Sequence, residues 1–170
     1  MEEIKRKHKE LFMGIGKAVN VAPIHIEIDD SFPPVQQKRR AVPLHYREPF
    51  RKHIAELKAA GVVEGPLDTD SATGWIHNPV IADKRDGKSI RLTLDTRPMA
   101  NAVKTSHFPI PTPQELRYQF AGSDRFSKLD MNHSFFQFPM DEETKKLYTF
   151  YTLDGLYRFN TLVPNWRNMG

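Results

Sequence analysis

The sequence contains no cysteine. That excludes disulfides, thiolate zinc sites and cysteine nucleophiles, and an intracellular setting, cytoplasm or nucleus, suits it. No apolar run reaches about 18 residues, so no membrane span is expected. The first residues are rich in Glu and Lys, so no secretory signal is expected either. The seven histidines (His8, His25, His45, His53, His77, His107 and His133) fall in no His-Glu-x-x-His spacing. Neither a Gly-x-Ser-x-Gly elbow nor the glycine pattern of a phosphate loop occurs, so a hydrolase reading fares badly. There is no internal repeat. Adjacent aspartates occur once, at Asp29-Asp30.

What is present is proline and positive charge. Thirteen prolines in 170 residues, with 39% hydrophobic content, predict a folded domain with many extended connections. The length suits one domain or part of a larger one. A net charge of +4 and a pI near 9.3 permit a polyanionic partner.

Periodicity gives a coarse order of elements. Residues 2–12 read as a charged helix ended by Gly14 and Gly16. Residues 21–28 alternate (Ile24, Ile26 and Ile28 against His25 and Glu27) and read as a strand. Asp29-Asp30-Ser31 stops it, and the aspartate pair reads as a turn. Residues 35–42 are extended and basic, with Lys38, Arg39 and Arg40. Residues 47–60 are the best helix, because Phe50, Ile54 and Leu57 fall on one face and Gly61 follows. Val62-Val63 is a short strand, and 65–74 a loop. A strand over 75–82 and another over 89–95 flank Asp86-Gly87, a hairpin signal. This puts Lys84, Arg85 and Lys88 at a hairpin tip and Arg91 on its face. A helical turn is expected over 97–103. Thr112 can cap a helix over 113–120, with Pro113 first and Glu115 third. Residues 147–152 and 156–162 form a second hairpin around Asp154-Gly155.

Residues 123–131 read as the central strand, with Asp130 at its end between Leu129 and Met131. An acid there is costly unless it is paired or holds a cation. A lone aspartate binds Mg²⁺ weakly, although phosphate oxygens and further carboxylates complete an octahedron. By itself the string fits a strand-end or turn aspartate more often than a metal ligand.

Six strings, in order and spacing, change that balance. They are residues 39–43 (Arg-Arg-Ala-Val-Pro), 57–64, 82–97, 107–112, 126–130 (Phe-Ser-Lys-Leu-Asp) and 149–157 (Thr-Phe-Tyr-Thr-Leu-Asp-Gly-Leu-Tyr). Together they resemble the N-terminal part of the reverse transcriptase domain of a gypsy-type LTR retrotransposon polyprotein, over nearly the whole chain. The resemblance implies an α+β partial right-hand polymerase fold. Residues 1–34 would be a lead-in segment, 35–122 a fingers-like region, 123–162 a partial palm and 163–170 a divergent tail. It implies that Asp130 is the first catalytic aspartate and a Mg²⁺ ligand. Phe135 matches the aromatic position that crowds the incoming sugar. Lys84, Arg85 and Arg91 match the residues that grip a triphosphate, a task suited to charge-assisted contacts. Which of Lys84 and Arg85 takes the lysine role stays open. Lys38, Arg39 and Arg40 are expected to meet nucleic acid. The implied partners are an RNA or DNA primer–template and a dNTP. Self-association, or docking to another polymerase subunit through an uncovered palm edge, is a further expectation; a membrane is not.

The resemblance also sets a limit. Two-metal transfer needs at least three converging carboxylates, and the family supplies two as an adjacent Asp pair after the first. No such pair comes after Asp130, and beyond residue 162 the string departs from the family pattern. A truncated, inactive polymerase fragment is therefore expected, or a nucleic-acid-binding or interaction module derived from one.

Overall fold

The computed structural model describes residues 2–9, 14–18, 20–68, 74–84, 87, 89–104, 109–128 and 130–164. A short helix α1 (Glu2–Lys7) precedes the body, and α2 (Leu44–Ala59) is its main helix. Phe50, Ile54 and Leu57 are all buried, as their spacing requires. The chain leaves α2 through Gly61 at φ +71°, with Val62 N donating to Leu57 O at 2.9 Å. A left-handed glycine after the last turn is what lets the chain reverse at once into a strand.

That strand, β1 (Val63–Leu67), runs on where a loop was expected. It joins a four-stranded sheet in the order β1-β6-β5-β2, with β2 (Ile76–His77), β5 (Thr149–Thr152) and β6 (Gly155–Phe159). Strands β5 and β6 form the expected hairpin, with Thr152 opposite Gly155. β1 pairs antiparallel to β6, and β2 parallel to β5, so the sheet is mixed. A second sheet is the hairpin of β3 (Pro79–Asp83) and β4 (Ile90–Leu94). In β4, Ile90, Leu92 and Leu94 turn inward while Arg91 points out. Between the layers lie Phe50, Leu92, Met99, Tyr148, Phe150 and Phe159, each nearly inaccessible. Full burial of one such apolar side chain contributes roughly 1.5–3 kcal/mol.

One expected strand, 75–82, is divided at Asn78. This residue is buried, and its amide is fully used. Asn78 Nδ2 donates to Gln37 Oε1 and Lys38 O, and Oδ1 accepts from Arg40 N. These bonds turn the chain, giving Ile76–His77 to one sheet and Pro79–Asp83 to the other.

Two further expectations are corrected. Residues 21–28 do not form a strand; they cross the body as a strap making single bridges, Ile24 to Met140 and Ile28 to Val103. Their alternation still holds, because Ile24, Ile26 and Ile28 pack against the core. The central strand over 123–131 is absent among the described residues: 123–128 are exposed and carry no ladder. A strand is stable only when its backbone groups are paired, and no described residue pairs with this segment in a ladder. Helix α3 (Pro113–Phe120) has the expected cap, but buries no residue. A helix over residues 142–146, α4 (Glu142–Lys146), was not expected. Asp141 caps it through Thr144 N at 2.8 Å, with acids in its first turn and lysines in its last.

Candidate functional site

The turn that carries Phe135 is built by local hydrogen bonds. His133 adopts the left-handed conformation (φ 50°), and a 3-10 turn succeeds it over Ser134–Gln137. Gln137 Nε2 donates to Asn132 O at 2.7 Å, closing the turn on itself. Ala18, upstream of the strap, ties the turn down from outside, since Ala18 N donates to Gln137 O at 2.8 Å. Phe136 is buried and stacks on Phe159, with ring centroids 6.2 Å apart. Its neighbour Phe135 is left half-buried at the surface of the same turn.

This turn faces the β3–β4 hairpin across a cleft of about 470 Å³. Lys84, Arg91, Phe135, His53, His133 and Met131 all line it. Three residues expected to meet a nucleotide, Lys84, Arg91 and Phe135, thus come together from two separate elements. Arg85 lies outside the described residues. Two cleft residues, His53 and His133, were not anticipated. His53 sits on α2 with Nδ1 3.6 Å from Glu56 Oε2. Burial pushes its pKa below the usual 6.5, Glu56 opposes that, and Lys84 and His133 add smaller pushes downward. In the sequence His53 looks like one more polar residue beside the buried face of a helix, so only the hairpin's approach reveals it.

Asp130 is exposed and immediately precedes Met131 of the cleft. Among the described residues, no three His, Asp or Glu side chains gather where a cation could be held. The donor set of those residues therefore does not fit a complete two-magnesium centre. The Asp29-Asp30 pair is a turn: Asp29 Oδ1 accepts from Ser31 N at 2.9 Å, which holds the Asp29 carboxyl below its ordinary range.

The basic run lies in a second cleft, of about 680 Å³, lined by Lys38, Arg39, Arg40, Asn78, Asp95 and Arg97 among others. Arg39 Nη2 donates to Thr152 O at 2.7 Å, fastening the run to the sheet. Asp95 is buried and receives Arg97 Nε and Nη2, each at 2.7 Å, with Arg40 Nη2 at 3.3 Å. The Arg97 guanidinium, and more weakly Arg40, hold the Asp95 carboxyl below its usual range.

No family model matches the chain. Curated relatives do. The Gag-Pol polyprotein of avian reticuloendotheliosis virus is 27% identical over 161 residues, covering 91% of this chain and 13% of the polyprotein. The enzymatic polyprotein of cauliflower mosaic virus (strain Strasbourg) is 30% identical over 118 residues, 69% of this chain and 17% of its own length. A retrovirus-related Pol polyprotein from transposon 412 of Drosophila melanogaster is 26% identical over 129 residues, 76% of this chain and 10% of its own. The chain thus spans under a fifth of each of these three relatives. They support the retroelement level and not the gypsy-type subclass. Among solved structures, the prototype foamy virus protease-reverse transcriptase matches with a TM-score of 0.81 and 19% identity, over 98% of this chain and 22% of that one. That likeness carries the fold: a partial polymerase architecture of mixed helices and sheets.

Proposed function

From a chain homologous to retroelement Pol polyproteins and folded like part of a retroviral reverse transcriptase, we propose a nucleotide-gripping role for its fingers-like region (35–122) and partial palm (123–162). Lys84 and Arg91 hold the triphosphate of a dNTP, and Arg85, next to Lys84 in sequence, is proposed as a further cation for it. Phe135 lies beneath the sugar, where a 2′-hydroxyl would crowd the ring. Asp130 supplies one carboxylate next to the cleft. The observation that carries this reading is the convergence of Lys84, Arg91 and Phe135 on one cleft. Cations opposite an aromatic ring suit a ligand that is anionic at one end and flat at the other.

One carboxylate cannot hold two metal ions in line with a transferring phosphoryl group. The 170 residues alone are therefore expected to bind nucleotide without extending a primer. In a primer-extension assay with Mg²⁺ and dNTPs they should give no product, while a labelled dNTP should bind more tightly than its ribo counterpart. Phe135→Ala should narrow that difference. Template-dependent synthesis would overturn the inactive reading, and equal binding of both sugars would overturn the role of Phe135.

A second reading rests on α3 and the residues just after it. This helix buries nothing, and Tyr118, Phe120 and Phe126 stay largely exposed. Phe120 and Phe126 pack edge to face, 5.8 Å between ring centroids, an aromatic surface with no described cover. Self-association, or docking to another polymerase subunit, would cover it. A concentration-independent monomer in sedimentation, with no complex formed on mixing with a reverse transcriptase, would count against this reading. Lys38, Arg39 and Arg40 are proposed to meet primer–template, with affinity that falls steeply with salt; a flat salt response would reject that.

A further inference from the structure

The cleft holds two imidazoles that the grip on a nucleotide leaves unused. His53 reaches it from α2, His133 from the turn before Phe135, and both stand on its lining with Lys84 and Arg91. The titratable groups that act on His53 include Glu56 on its own helix, Lys84 on the hairpin and His133 on the facing turn. No carboxylate is among the described residues that line the cleft. His133 is the more accessible of the two, with its ring stacked on Phe136 at 5.9 Å between centroids.

Resting on the reading of this cleft as a nucleotide site, we propose that His53 and His133 bind the phosphate chain beside Lys84 and Arg91, so that triphosphate affinity rises as the imidazoles gain protons. The physical basis is linkage. Empty, the cleft disfavours a proton on His53: burial is the largest effect against it, Glu56 favours the proton, and Lys84 and His133 oppose it more weakly. A bound polyanion reverses the sign of the local field and favours that proton. The proton and the ligand then bind cooperatively, each raising the affinity for the other by the same factor.

A nucleoside triphosphate by itself behaves the opposite way, since its terminal phosphate gains a proton and loses charge as pH falls through the same range. The two effects therefore have opposite signs in one experiment. Binding of dTTP to the full 170-residue chain would be measured in metal-free buffer at fixed ionic strength from pH 8 to pH 5.5. Affinity should rise toward acid, roughly tenfold for each imidazole whose pKa the ligand raises by about one unit. His133→Gln should remove part of the rise, and His53→Gln with His133→Gln all of it. Should the His53 variant fold poorly, the imidazole resonances of the unaltered chain, titrated with and without dTTP, give the same answer through a ligand-induced rise in their pKa values. No binding at any pH overturns both the nucleotide reading and this inference. Binding that weakens toward acid, or imidazole titrations that dTTP does not move, leaves the nucleotide reading standing and overturns the inference.

Discussion

Arg97 closes on Asp95 through two parallel hydrogen bonds of 2.7 Å, Nε to Oδ1 and Nη2 to Oδ2. Asp95 is buried, whereas the side chain of Arg97 is largely exposed. The backbone around Asp95 is fastened as well: its carbonyl accepts from Gln37 Nε2 at 2.8 Å, and its N–H donates to Asn78 O at 3.0 Å. One carboxylate thus joins the end of β4 to the basic run at residues 38–40. Asp95→Ala should cost about 1–3 kcal/mol, the value of the charge-assisted hydrogen bonds that this buried carboxylate makes. The check is urea denaturation, in which Arg97→Ala alone should cost less, because Arg40 still pairs with the carboxylate.

Gly65 faces Tyr157 across the β1–β6 pair. Its φ is +147°, and a Cβ there would lie 2.6 Å from Tyr157 Cγ and 2.9 Å from Leu156 O. Both conformation and space exclude a side chain. Gly65→Ala should destabilise by about 1–3 kcal/mol, as overpacking and backbone strain do. Gly87→Ala meets no atom of the described residues within 4 Å, although its φ of +61° still favours glycine, and should cost less. Equal midpoints for Gly65→Ala and the parent in thermal melts would contradict this packing.

The capping box of α3 is complete: Thr112 Oγ1 accepts from Glu115 N at 3.3 Å, and Glu115 Oε2 accepts from Thr112 N at 2.6 Å. Thr112→Ala should cost α3 about 1 kcal/mol. Because α3 buries nothing, that loss should stay local. Amide exchange over 114–120 should quicken, while the global denaturation midpoint stays where it was.

Stability should fall in acid in two ranges. His77 is fully buried between Leu147 O (3.0 Å) and Asp95 O (3.2 Å), and burial pushes its pKa below 6.5. A histidine harder to protonate when folded contributes stability that is present above about pH 6.5 and lost as pH drops beneath it. Asp141 is lowered to about 2, first by Thr144 and then by His25. Its contribution is present above the ordinary carboxylate range and lost as pH falls from about 4 toward 2. Denaturant midpoints across pH 2–8 check both, and His77→Gln should remove its share of the upper decline.

The sequence made some of this legible and hid the rest for physical reasons. Phe50, Ile54 and Leu57, the Thr112–Glu115 box and the two hairpins depend on neighbours within a few positions, so the local string carries them. The division at Asn78 depends on Gln37, Lys38 and Arg40, some forty positions away, and no local pattern encodes it. The strand expected over 123–131 rests on apolar residues, but an extended segment needs a paired ladder as well as a pattern. Helix α4 has a readable signal in Asp141-Glu142-Glu143 with Lys145-Lys146 behind it, too short to register against the strands around it. In the cleft, Lys84, Arg91 and Phe135 are legible through the resemblance, whereas His53 enters only through the packing of α2 against the hairpin.

Two arginines give the sharpest test of the cleft's role. Arg91 lines the cleft, while Arg51 lies on α2 beside Asp154, its Nε 3.4 Å from a carboxylate oxygen. Equilibrium binding of dTTP would be measured for the parent chain, Arg91→Ala and Arg51→Ala at one pH and one salt concentration. Losing a charge-assisted phosphate contact costs about 1.5–3 kcal/mol, so Arg91→Ala should bind at least roughly tenfold more weakly and Arg51→Ala should match the parent. Equal affinity for all three chains would contradict the claim that this cleft grips a triphosphate.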